Sequence, residues 1–140
     1  MVTIEDLGVL RDVRVSNGGR VEVDLTPTYS GCPAMGTIER DVEQALYDAG
    51  AREVAVRVVL SPAWTTEWIS DRGRSKLTKA GIAPPGAAGG PRRTFVALTV
   101  GCPRCGARRT REVSRFGSTA CKSLWWCEEC REPFDHFKAH

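Results

Sequence analysis

Two Cys-x-x-Cys pairs, Cys102-Pro103-Arg104-Cys105 and Cys127-Glu128-Glu129-Cys130, constrain this chain more than any other feature. Each pair makes a tight turn that points two sulfurs at one centre, and residues 106–126 between them give the spacing of a four-cysteine zinc site. Four thiolates close a tetrahedron around Zn²⁺ at roughly 2.3 Å per bond. Pro103 stiffens the first turn, and Gly106 supplies the positive φ with which the chain leaves the metal. Iron in a rubredoxin-like setting suits the same four sulfurs. Two disulfides are the other reading, and they require an oxidising compartment. A ribbon this small buries too little apolar surface to fold alone, so the metal is expected to be structural. With four protein ligands the site is closed, and it is expected to hold and present rather than react.

The 140 residues suffice for one modest domain in front of this ribbon. At 41% hydrophobic and 26% charged residues the composition is that of an ordinary soluble protein. No apolar run approaches the ~20 residues needed to cross a bilayer. The start, Met1-Val2-Thr3-Ile4-Glu5-Asp6, has neither a basic leader nor an apolar core, so no secretory signal is expected. Six cysteines then point to metal or redox chemistry in a reducing cytoplasm. A net charge of +3 is too small to argue for nucleic acid. Basic residues do cluster at Arg92-Arg93 and at Arg108, Arg109 and Arg111, but without aromatic neighbours for base stacking they read as a solvated strand face.

In chain order, Val9–Val15 and Val21–Leu25 alternate apolar and polar residues around Ser16-Asn17-Gly18-Gly19, which predicts a β-hairpin with Val21, Val23 and Leu25 inward. Ile38, Val42, Leu46 and Ala49 recur at helical spacing, between Pro33, suited to a first helical position, and Gly50, suited to the stop. The predicted helix runs over 33–49 and puts Cys32 at or beside its N-cap. There the free N–H groups and the helix dipole favour a thiolate, making Cys32 a candidate reactive thiol or soft-metal ligand. The alternative is a buried packing cysteine. Arg52–Leu60 reads as a strand with Val54, Val56, Val58 and Leu60 on one face, joined to the hairpin by a helical crossover.

Trp64 and Trp68 are spaced to share one side of a short helix, sealing the open sheet face or meeting a partner. Ser70–Ala80 reads as a helix, and residues 81–93 as a linker rich in glycine and proline. Residues 1–80 and 94–140 would then be two domains. The ribbon is expected to comprise a strand over 95–100, a hairpin over 110–116 and 123–126, and a closing strand over 132–137. Cys121 is surplus to a four-ligand site and reads either as a small packed residue or as a second functional thiol. His136 and His140 fit no ligand spacing and are expected at the surface.

The segment Thr26-Pro27-Thr28-Tyr29-Ser30-Gly31-Cys32-Pro33-Ala34 with its helix resembles the small iron–sulfur assembly domain of SufT and its relatives. The tail carries Phe116-Gly117-Ser118-Thr119-Ala120-Cys121-Lys122, the two knuckles and Glu132-Pro133-Phe134-Asp135-His136-Phe137-Lys138. With these the chain resembles the PaaD-like proteins associated with phenylacetyl-CoA epoxidase. The resemblance implies an α+β fold, a small sheet-and-helix assembly domain followed by a β-type zinc ribbon. It also implies a non-catalytic accessory factor that helps mature the metal centres of the multicomponent epoxidase forming the ring-1,2-epoxide. The implied clients are the reductase subunit, with its iron–sulfur cluster, and the di-iron oxygenase subunit. The family's assembly-domain cysteine maps onto Cys32, which would handle iron or a transient cluster, with Cys121 as the second candidate. Cys102, Cys105, Cys127 and Cys130 would hold structural zinc. The family's additional N-terminal helix and Asp-Pro turn would precede Ile4, so an acidic neighbour for Cys32 is expected to be missing. A reading from a different class is a binding module whose ribbon contacts nucleic acid or a protein.

Overall fold

A computed structural model describes residues 1–86 and 99–139. Arg92-Arg93, most of the expected linker, most of the expected strand over 95–100, and His140 lie outside the described residues. Among the described residues two helices and seven strands form an α+β architecture with two sheets, one ordered β1-β2-β3 and the other β4-β7-β6-β5.

The hairpin of β1 (Leu10–Val15) and β2 (Arg20–Leu25) closes where expected, with Gly19 at φ +78° and its N–H donated to Ser16 O. β2 is central and β3 (Glu53–Val58) pairs with it in parallel, Val21 opposite Val54 and Val23 opposite Val56. A parallel pair needs a crossover, which is α1 (Met35–Asp48). Its Met35, Ile38, Val42 and Leu46 pack on Val21, Val23 and Leu25, the buried stripe of β2. Gly50, at φ +99°, ends the helix in the left-handed conformation that costs glycine little. On the outer face Asp24 accepts from Arg14 and Arg57, so the polar alternation of the strands becomes an ion-pair lattice. Val58 and Leu60, placed by sequence on one face with Val54 and Val56, are exposed, Val58 as the last residue of the edge strand β3 and Leu60 beyond it.

The two tryptophans do not share a helix. Trp68 ends the single 3₁₀ turn Thr66–Trp68, and Trp64 lies before it. Trp64 is buried and donates its indole N–H to Leu7 O at 2.9 Å, whereas Trp68 is half-buried under the Arg11 guanidinium. Trp64 packs with Ile69, Leu77 and Phe137 rather than on the sheet.

Helix α2 (Asp71–Lys79) is capped by Ser70, whose hydroxyl accepts the Gly73 N–H at 2.9 Å. The helix leans on the N-terminal segment at Asp6, which is fully buried. Arg72 Nε at 2.6 Å, Lys76 Nζ at 2.5 Å and the Thr3 N–H at 3.0 Å converge on its carboxylate. The backbone approaches so closely that a Cβ on Gly73 would collide with Asp6 O. Glycine is required there for space.

The described part of the expected linker is structured. Ile82–Ala83 form β4, parallel to β7 (Pro133–Phe137), and Ala83 is buried against the ribbon core with Trp125, Cys127 and Phe134. Between Gly81 and the prolines, this short apolar pair fills the free edge of β7. β5 (Thr110–Ser114) and β6 (Lys122–Cys127) complete the second sheet, and in β6 Ser123, Trp125 and Cys127 alternate inward. The first unit and the ribbon meet where the Trp64 and Phe137 rings lie 5.8 Å apart. His136 is half-buried beside Trp125, and burial pushes its imidazole below the usual range; the pairing of β6 with β7 brings it in from the surface.

Lys76 first, then Arg72 and Thr3, hold the Asp6 carboxyl well below its ordinary value of 3.8. A depressed carboxyl stabilises the fold fully above the unfolded value, and that contribution is lost as pH falls below about 4. Asp6→Asn should therefore unfold at lower denaturant at neutral pH and lose less stability than the parent on acidification. Equal midpoints at neutral pH with equal acid slopes, in denaturant titrations from pH 7 to pH 2, would contradict this.

Candidate metal centre and thiol cleft

Each knuckle is a turn closed by its own backbone. In the first, the Gly106 N–H donates to Cys102 O and the Cys102 N–H to Ala107 O, both at 2.9 Å, with Gly106 at φ +76°. In the second, the Cys127 N–H donates to Glu132 O and the matching position is Arg131, at φ +56°. A non-glycine residue in this region costs roughly 1–2 kcal/mol, so the second knuckle makes its turn at a cost that glycine spares the first. The four sulfurs of Cys102, Cys105, Cys127 and Cys130 lie within 4.8 Å of one another. Cys102 and Cys130 are 3.7 Å apart, Cys105 and Cys127 3.6 Å. A disulfide needs about 2.05 Å, whereas a tetrahedron with 2.3 Å bonds has edges of about 3.8 Å. The donor set therefore fits a metal rather than a pair of disulfides.

The sulfurs are electrostatically unequal. Backbone N–H groups of Cys130 and Glu129 draw the Cys127 thiol down to about 7, while burial and the neighbouring sulfurs push Cys130 up to about 12. A shared cation would remove that repulsion by binding all four as thiolates. The arginines beside the knuckles are paired, Arg109 with Glu129 and Arg111 with Glu128, each at 2.9 Å. These pairs offset the charges of Arg109 and Arg111 locally.

Cys32 does not cap α1. The N-cap is Ala34, and Cys32 lies two residues upstream, its N–H donated to Tyr29 O and its carbonyl accepting from Met35. Those turn bonds postpone the helix past Pro33 and leave Cys32 half-buried in the connecting loop. Its side chain lines a largely apolar cleft of about 570 Å³ between the first unit and the ribbon. Cys121 lines the same cleft, together with Met35, Ile38, Leu77 and Phe137.

The two tail segments singled out by sequence form one structural unit around Cys121. The Gly117 N–H donates to Lys122 O, the Lys122 N–H to Thr119 O, and the Lys138 N–H to Cys121 O. Lys122 Nζ reaches Ser118 Oγ at 2.8 Å and Asp135 at 3.2 Å. Sequence reasoning missed Asp6, although the Thr3-x-x-Asp6 pattern and the i, i+4 cations Arg72 and Lys76 were in view.

A strand–helix–strand unit carrying a four-cysteine ribbon is the combination recognised by two family models. The model "Iron-sulfur cluster assembly protein" matches residues 2–58, and "PaaD zinc beta ribbon domain" matches residues 88–138. A protein of Escherichia coli (strain K12), named as a putative subunit of 1,2-phenylacetyl-CoA epoxidase, is 44% identical over 138 residues, 99% of this chain and 82% of that protein. The chain belongs to the PaaD family. The Bacillus subtilis (strain 168) "Fe-S protein maturation auxiliary factor YitW" is 33% identical over 70 residues, 49% of this chain and 69% of that protein. A Porphyromonas gingivalis "Fe-S protein maturation auxiliary factor" is 30% identical over 77 residues, 54% and 73% of the respective chains. A crystal structure of the Bacillus anthracis domain of unknown function DUF59 superposes with a TM-score of 0.49 at 31% identity, covering 51% of this chain and 70% of that one. Among the described residues no helix is long and apolar enough to cross a membrane.

If the four thiols hold the ribbon through a metal, chelation should abolish amide-exchange protection across β5, β6 and β7 and leave β1–β3 protected. Native-like protection of β6 in chelated, metal-free protein would contradict this.

Proposed function

We propose that this protein is a non-catalytic accessory factor of the multicomponent phenylacetyl-CoA epoxidase, acting in the cytoplasm to mature that enzyme's metal centres. The cargo would be iron or an iron–sulfur cluster, and the clients the reductase and di-iron oxygenase components. One observation carries the reading: Cys32, on the loop leading into the assembly-type helix, opens into an apolar cleft walled by both halves of the molecule, separate from the ribbon sulfurs. The names of the relatives, an epoxidase component and iron–sulfur maturation factors, support it independently.

The residues divide the work between holding and handling. Cys102, Cys105, Cys127 and Cys130 would hold Zn²⁺ with all four positions filled, which leaves none for substrate or oxygen. This centre gives the ribbon its rigidity and sets one wall of the cleft. Cys32 would take the cargo by losing its thiol proton and donating a sulfur, with the apolar lining keeping water from competing for the metal. The chain's two histidines stand at positions 136 and 140, not in the Glu-x-x-His pairs from which di-iron oxygenase sites are built. That placement also supports a role outside the oxygenation step. The nucleic-acid alternative is weakened by the ion-paired state of Arg109 and Arg111.

Cys32→Ser should keep its unfolding free energy within about 1 kcal/mol of the parent, because the residue is half-buried and in a loop. Epoxidase purified from cells carrying only that variant, or lacking the gene, should be metal-poor and inactive. Adding the protein without an iron source should not restore activity. A fully metallated, normally active epoxidase from gene-less cells would overturn the maturation reading and favour a binding module.

A further inference from the structure

Cys121 belongs neither to the four-sulfur cluster nor to the core of the ribbon sheet. It lines the same cleft as Cys32, although the two come from different halves of the chain. We propose that Cys32 and Cys121 act together as a two-thiolate site for the iron or iron–sulfur cargo, each half of the molecule supplying one ligand. This rests on the reading of Cys32 as a cargo ligand and extends it to a residue that the assembly-type unit does not contain.

Three features support a pair. The first is access. Cys121 packs on one side against the cluster of Trp64, Ile69, Leu77 and Phe137, and on the other it lines the cleft of about 570 Å³ that Cys32 also lines. The second is position. The Cys121 backbone is pinned by the Lys138 N–H at 3.0 Å, and the Thr119 hydroxyl stands 3.0 Å from Sγ, where its proton can be donated to a thiolate. The third is charge. Two thiolates in an apolar cleft are costly unless a cation is shared between them, so a soft metal is the natural counter-charge. Lys122 lines the cleft as well, with its ammonium group held by Asp135 at 3.2 Å.

Binding would release both thiol protons to solvent and form two sulfur–metal bonds, with no change of oxidation state. Two ligands are half of a tetrahedral set. The open positions are those a client's own cysteines or carboxylates would fill, which lets the cargo leave by ligand exchange rather than by breaking a closed cage.

The test uses zinc-loaded protein under anaerobic conditions with phenylarsine oxide, a reagent that bridges two thiols with loss of water. The expected product is a bridged adduct in which both Cys32 and Cys121 resist alkylation while the ribbon zinc is retained. Cys32→Ser and Cys121→Ser should each abolish it, and Cys121→Ala, checked for retained zinc and tryptophan fluorescence, guards against a folding defect of the serine variant. Alkylation of both cysteines in the presence of the arsenical, or a bridged adduct in Cys121→Ser, would overturn the pair. Reconstitution with iron and sulfide forms the second arm. Loss of bound iron in Cys121→Ser as complete as in Cys32→Ser supports the proposal. Iron kept by Cys121→Ser but lost by Cys32→Ser overturns the pair and leaves the maturation reading standing. A wild-type protein that bridges the arsenical yet takes up no iron overturns the cargo assignment for both cysteines.

Discussion

The convergence of four sulfurs to within 4.8 Å is the constraint from which the geometry of the second half follows. Cys127 is the last residue of β6, so anchoring it sets where that strand ends and which neighbours it meets. The antiparallel register then places Lys122 opposite Phe137 and Trp125 opposite Phe134. Phe137 is thereby presented to Trp64, and Cys121, one residue before β6, is presented to the cleft. Fixing two turns at one point thus positions a ring and a thiol several residues away, because strands transmit register without slack.

The first half has its own anchor, of the opposite chemical kind. Burying a carboxylate is costly unless its charge and lone pairs are met, and Asp6 is met by Arg72, Lys76 and the Thr3 N–H. Removing one partner leaves a buried charge, so the cluster specifies one docking of α2 on the N-terminal segment. Leu77, on that helix, then reaches both the Trp64 ring cluster and the cleft. The wall of the cleft is therefore placed by an ion cluster on one side and by a sulfur cluster on the other.

Much of this was legible because periodicity and turn chemistry are local. The hairpin at Gly19, the amphipathic face of α1, the helix following Ser70 and the knuckle turns follow from neighbours a few residues apart. What was not legible depends on distant residues. Trp64 and Trp68 fit a helical spacing, but the Leu7 carbonyl captures the first indole and Arg11 covers the second. Ile82 and Ala83 read as linker because their partner strand lies some fifty residues on, at Asp135 and His136. Cys121 could not be given a neighbour from spacing, since its cleft exists only once the two halves pack together.

The central claim is that this molecule carries metal to an enzyme rather than transforming a substrate. It is tested most directly by loading the protein with isotopically labelled iron, mixing it without oxygen with metal-free reductase or oxygenase component, and separating the two after defined times. The account predicts that label leaves this protein and appears in a client whose cluster or di-iron spectrum develops in step. It predicts faster transfer than from the same concentration of free iron. Label that stays with this protein, or a client that acquires its centre equally fast from free iron, would contradict the account.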